Sequence, residues 1–255
     1  MWRRSNIDFW TIWLVTVALF LFGHVPTVHA QNIEARYSIK EKIFLPLDEK
    51  TTKEFVLEYE GFVYKSGAKV ISFWKPLYLA LYPRGMIEYR EADFASNYLL
   101  MMDTMQRVNL YHTDSLRRWG FWGTVMGAQD FTTLKYKKLR SGWKLLPETR
   151  MINGLECKHA LDLFGEKVIS DLWYYPGVEL GFGLLGEFNV PGIIVAYTSE
   201  TSNTSYHLTE LKIDEPIDPS VFWPAIFKKA KFVDENQSTK PSASDTKKSA
   251  IMSQP

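Results

Sequence analysis

Cys157-Lys158-His159 is the stretch of this chain richest in chemically useful side chains. On a strand, positions i and i+2 share a face, so the Cys157 thiol and the His159 imidazole would point toward one ion, and sulfur with imidazole suits copper or zinc. Two ligands do not complete a site, and His112 and His207 stand far off in the sequence. Cys157 therefore has three readings: a small buried hydrophobe, a metal ligand beside His159, or a reactive thiol, which needs an accessible electropositive setting. Its apolar surroundings favour the first.

Other catalytic patterns are absent. The chain has no H-E-x-x-H, C-x-x-C, G-x-S-x-G or G-x-x-x-x-G-K-[ST]. Gly181-Phe182-Gly183-Leu184-Leu185-Gly186 spells G-x-G-x-x-G, but Pro176-Gly177 lies just upstream and Pro191-Gly192 soon after. A dinucleotide site needs a strand before the glycines and a helix opening within them, so this run reads as a turned loop. The expectation is a non-enzymatic protein with no cofactor and no metal.

The elements that must position these residues follow a period of two. In 55–64, Phe55, Leu57 and Tyr59 alternate with Glu58 and Glu60, as on a strand with one wet face. Ser66-Gly67 then marks a hairpin turn into 68–73. Further strands are expected at 35–43, 77–81, 86–90, 132–138, 157–163, 167–175, 193–201 and 205–213. Segment 94–110 contains neither proline nor glycine, and Leu99, Met102, Met105 and Val108 recur at helical spacing, which predicts a helix. Its Leu99, Leu100, Met102 and Met105 are candidate ligand-binding residues, because thioethers adapt to varied partners, although packing against the sheet is the favoured reading of such a stripe. Residues 119–126 read as an aromatic-rich loop. Near the end, Asp218 is placed to cap a short helical turn begun by Pro219, with Phe222 and Trp223 pinning it to the core. The predicted fold class is mainly β: an antiparallel, curved, half-barrel-like sheet with one or two covering helices.

Composition bounds the function. Hydrophobic residues make up 46% and aromatics 15% of the chain, which suits a globular domain, and the net charge of +1 gives no bias toward nucleic acid. The single cysteine precludes an internal disulfide. Arg3 and Arg4, an apolar run over 9–22 and Val28-His29-Ala30 form a signal-peptide pattern, and the apolar run is short of the ~20 residues that span a bilayer. The expected organisation is a signal peptide over 1–30, a single β-rich domain over 31–233 and a disordered tail over 234–255. The mature protein is then exported, soluble, periplasmic or extracellular, and without an integral membrane span.

From Trp143 onward the chain also carries an ordered set of motif positions. Trp143, Glu148, Thr149, Ile152, Gly154, Cys157, Lys158 and Ala160 form a first element, Trp173 and Tyr174 a second, and Asn189-Val190-Pro191-Gly192-Ile193-Ile194 a third. In order and spacing these resemble the exported bacterial GLPGLI family, whose eponymous hexapeptide occupies the place of 189–194. The resemblance implies a bacterial envelope setting and no defined reaction. Pro191-Gly192 itself reads as a turn whose glycine takes a positive φ before a buried strand. The functional expectation is a binding module for an apolar ligand or an envelope protein. A structural or accessory part in an outer-membrane complex is the alternative, and a metal protein using Cys157 and His159 the least favoured.

Overall fold

Ile33, Ala35, Tyr37 and Ile39 are buried at every second position of the first strand, β1 (Ile33–Pro46), while the residues between them stay partly exposed. That alternation fixes which face of the sheet turns inward. The computed structural model describes residues 31–46, 51–91, 94–113, 117–121, 130–135, 142–178, 180–184, 190–223 and 231–234. The expected signal peptide over 1–30, the expected tail from 235 and most of the expected 119–126 loop lie outside these residues.

The remaining strands are β2 (Thr52–Ser66), β3 (Lys69–Pro76), β4 (Met86–Glu91), β5 (Phe94–Leu99), β6 (Gln106–His112), β7 (Arg117–Phe121) and β8 (Asp130–Lys135). They continue as β9 (Trp143–Ile152), β10 (Leu155–Phe164), β11 (Lys167–Tyr175), β12 (Ile193–Ser199), β13 (Thr204–Ile213) and β14 (Lys231–Asp234). Twelve strands form one open sheet in the order β14-β8-β7-β6-β3-β2-β1-β13-β12-β11-β10-β9. Its pairings are antiparallel except β14 with β8, which is parallel. The expected mainly β, antiparallel fold is observed, and the sheet reaches Asp234, one residue past the expected domain end.

Two turns show how sequence sets register. Gly67 (φ 56°) and Ala68 join β2 to β3, with Ser66 opposite Lys69. Asn153 (φ 51°) and Gly154 (φ 79°) join β9 to β10, with Ile152 opposite Leu155. Two successive positive φ values define the hairpin turn that Asn-Gly favours.

The expected helix over 94–110 is corrected to two strands. β5 pairs with β4 from Phe94 opposite Glu91 to Leu99 opposite Met86, and β6 pairs with β3. Between them Gln106, 1% exposed, donates through Nε2 to the carbonyls of Met101 and Asp103, both at 3.0 Å. A buried amide thus holds 101–106 in an irregular turn, and pairing with the adjacent β4 and the more distant β3 outweighs local helical spacing. Segment 77–81, expected as a strand, instead holds a 3₁₀ turn at Tyr78–Ala80. Trp119, Gly120 and Phe121, expected in a loop, belong to β7.

What covers the inner face is a hairpin and a loop rather than helices. Ile87 of β4 and Leu100 join the main core, and Tyr89 packs edge-on against Phe55. From the far side, the connection between β11 and β12 brings in Phe182, which stacks on Tyr111 at 4.6 Å, and Leu184, which is 1% exposed. Leu184 fits because β2 carries Gly61 at an inward position: a Cβ there would lie 2.9 Å from Leu184 Cδ1 and 2.7 Å from Ile39 Cδ1. Glycine inside a strand marks such a close approach.

Candidate functional site

Glu41 stands at an inward position of β1 between Ile39 and Ile43, where alternation alone calls for an apolar side chain. Its carboxylate accepts a 2.7 Å hydrogen bond from the Tyr59 hydroxyl and an ion pair from Arg107, and the two charged side chains are only 14% and 15% exposed. The Arg107 guanidinium also lies 4.2 Å from the centre of the Trp74 ring, a cation–π contact strengthened by burial. Trp74 is fully buried and its indole N–H has no hydrogen-bond partner among the described residues. Tyr59 packs edge-on to Trp74 and Tyr78, and Tyr78 donates to the Met101 carbonyl at 2.9 Å.

The backbone is bent to make this cluster. Arg107 has φ 50°, in the left-handed region that a non-glycine residue rarely adopts. It sits where the β3–β6 register slips between Ser72 and Trp74. The extra residue turns its side chain onto the inner face, where Glu41 satisfies it. Burial first, then the Glu41 charge, pushes the Tyr59 phenol well above the ordinary tyrosine range. Chemically the cluster is closed: each Glu41 oxygen has a partner, so the pair serves to fix the interior geometry.

A second arrangement lies on the outer face. Ile71, Val108, Leu110 and Phe222 are buried there, and Phe222 arrives on a 3₁₀ turn at Pro219–Phe222. Asp218 caps that turn as expected, accepting 2.9 Å from the Ser220 N–H and 2.7 Å from its hydroxyl, bonds that hold its carboxyl below the usual range. Only part of the expected pinning occurs, because Phe222 is buried while Trp223 is 52% exposed. Beside the turn opens a cleft of about 240 Å³ lined by Lys69, Leu110, Tyr111, His112, Pro219, Phe222 and Trp223. Lys69 and His112 are cross-strand partners at its rim. His112 Nδ1 is buried with no hydrogen-bond partner, and Lys69 makes no ion pair among the described residues.

No family model matches this chain. No curated protein matches it either. Among solved structures it is similar to PNGF-II in two crystal forms, at 13% and 14% identity with TM-scores of 0.45 and 0.46. Those matches cover 86% and 82% of this chain but 32% of PNGF-II, so the chain spans about a third of that protein's length. It is also similar to an uncharacterized conserved protein from Thermus thermophilus, at 7% identity and a TM-score of 0.40, covering 86% of this chain and 99% of that one. The functional reading therefore rests on this chain's own residues.

The residues singled out from sequence fall in several places. Cys157 is fully buried in the core, with its thiol 3.5 Å from the Leu155 carbonyl and its pKa raised by burial. His159 does not share that setting, because the β9–β10 register slips between Lys158 and Ala160. It stacks on Trp173 at 4.4 Å and bonds Asp171 at 3.0 Å, so the Cys157–His159 pair of the least favoured, metal-binding reading is not assembled. No group of three or more metal-ligating side chains occurs among the described residues.

Leu99, Leu100, Met102 and Met105 do not line one surface. Leu100 is in the main core, Met105 packs on the outer cluster, and Leu99 and Met102 are 50% and 45% exposed. Trp143 and Trp173 pack against the main core, and Tyr174 is within it. Pro191 and Gly192 do form a turn, but Gly192 lacks the expected positive φ. It is needed for space, since a Cβ there would lie 2.3 Å from the Tyr175 carbonyl oxygen. Sequence reasoning missed Glu41 and Arg107; an acid at an inward position of an apolar strand was the available signal for the first.

Proposed function

We propose that this chain is an exported, non-enzymatic binding module of the bacterial envelope, and that its ligand surface is the outer-face cleft. The observation that supports this is an open cleft with an apolar floor, Phe222 and Leu110, and an ammonium, Lys69, unpaired among the described residues at its rim. Concave apolar sites with a few convergent polar groups are where small ligands bind. The inner face offers less, because Phe182, Leu184 and the β4–β5 hairpin already fill it. Binding is favoured over catalysis because Cys157 is buried with a raised thiol pKa and the Glu41–Arg107 pair is closed on itself. Export rests on the basic start, apolar run and Val28-His29-Ala30 of the leader. No helix among the described residues is long and apolar enough to cross a membrane.

An accessory role would draw on the open edge at β9. That edge carries Lys144, Pro147 and Arg150, residue types that discourage strand addition. The test of the binding reading is titration with Nile red, a neutral polarity-sensitive dye. Dye fluorescence should rise on the folded protein and fall when Trp223 is replaced by Ser. A dye that stays dark, or is indifferent to Trp223→Ser, refutes the cleft as the ligand surface.

A further inference from the structure

We propose that the cleft takes a small monocarboxylate with a compact apolar body, its carboxylate held by Lys69 and His112 and its body against Phe222, Leu110 and Trp223. This rests on the binding-module reading and adds the ligand class. Charge decides the sign: among the described residues, those lining the cleft and the adjoining groove include Lys69 and His112 and no acid. Asp218, next to the lining residue Pro219, is turned back onto Ser220 through both carboxylate oxygens. Lys69 has no ion-pair partner among the described residues, so an incoming anion displaces nothing.

His112 reinforces the choice. Its Nδ1 is buried without a partner, and a buried orphan N–H is costlier than a buried orphan lone pair. The proton of a single-proton imidazole here is therefore better placed on Nε2, which makes that nitrogen a donor. Two donors a strand apart suit the two oxygens of a carboxylate. The floor disfavours a purely ionic ligand, since Leu110, Pro219, Phe222 and Trp223 offer mainly apolar and aromatic surface. Size excludes a large one: at about 240 Å³ the cleft lies below the roughly 300–1,000 Å³ of drug-sized sites. A single ring or short chain bearing one carboxylate fits all three limits.

The experiment compares three probes by calorimetry on the purified protein: phenylacetate, the uncharged phenylacetamide and inorganic phosphate. Phenylacetate should bind at least about tenfold more tightly than either, and Lys69→Gln should remove about tenfold of that affinity. Lys69 is exposed, so this variant retains the fold, and circular dichroism checks it. Equal binding of phenylacetamide, preferential binding of phosphate, or indifference to Lys69→Gln overturns the ligand class. If no probe binds while Nile red still responds to Trp223→Ser, the ligand class falls and the binding-module reading stands; if the dye fails as well, both fall.

Discussion

Tyr59 on β2 donates its hydroxyl to Glu41 on β1 at 2.7 Å, diagonally across the inner face of the sheet. Burial and the Glu41 charge raise the folded-state pKa of this phenol above the ~10 of an unfolded tyrosine. The stability linked to it is fully present below pH ~10 and is lost as pH rises toward the folded value, because only the unfolded chain releases the proton in that window. Tyr59→Phe should cost about 2 kcal/mol near pH 7, the worth of a hydrogen bond to a charged group, and should flatten the alkaline loss. Urea denaturation from pH 7 to 11 measures both, and an unchanged alkaline slope would show that other groups carry it.

Arg107 and Glu41 should behave as one unit. Removing one member of a buried pair leaves an uncompensated charge at a cost of about 3–5 kcal/mol, whereas replacing both with apolar side chains is often close to neutral. Arg107→Met should therefore destabilise strongly, and adding Glu41→Leu should recover most of the loss. Additive effects in the double-mutant cycle would mean that the two charges are not coupled.

Gly61 exists to admit Leu184. Gly61→Val overfills that inward position, where an ideal Cβ already lies within 3 Å of the Ile39 and Leu184 methyl groups, and should cost about 3 kcal/mol. Leu184→Ala alone should also destabilise by about 3 kcal/mol through the cavity it leaves. Combined, the two should cost less than their sum, since each relieves the other. Strict additivity in thermal melts would place Leu184 elsewhere.

Cys157 is a packed core residue, 0% exposed, so Cys157→Ser should lose about 1–3 kcal/mol by burying a hydroxyl, and Cys157→Ala less. The native thiol should react with a disulfide reagent only as fast as the protein opens. Rapid stoichiometric labelling of folded protein would contradict the burial.

Much of the sheet was legible because inward positions recur every second residue. Phe55, Leu57 and Tyr59 announced β2, and Gly67 and Asp218 announced their turns. The 94–110 segment was not legible, since Leu99, Met102 and Met105 have a helical spacing that only pairing with the neighbouring β4 and the distant β3 overrides. Arg107 was hidden for a related reason: its inward orientation comes from a register slip against β3, which local alternation cannot show. Glu41, by contrast, broke the apolar parity of β1 in plain sight. His159 was misplaced because the β9–β10 slip ends the i, i+2 rule just after Cys157.

Gly154 and Gly192 should respond differently to the same substitution, because one is required for its conformation and the other for space. Gly154 has φ 79° and nothing within 4 Å of an added Cβ, so Gly154→Ala should cost about 1–2 kcal/mol, the penalty of a left-handed backbone for an L residue. Gly192 has no positive φ, yet its Cβ would meet the Tyr175 carbonyl oxygen at 2.3 Å and Pro176 Cα at 3.0 Å. Those are backbone atoms that cannot rotate away, so Gly192→Ala should cost about 3 kcal/mol and pull the 190–192 turn off the end of β11. Gly154→Asn separates the mechanisms further: asparagine tolerates positive φ, so that variant should lose less than Gly154→Ala, while Gly192→Asn should lose at least as much as Gly192→Ala. Equilibrium unfolding of the four variants decides the matter. Equal losses at both sites, or an asparagine rescue at Gly192, would show that the 190–192 turn is held by conformation rather than by its contact with Tyr175.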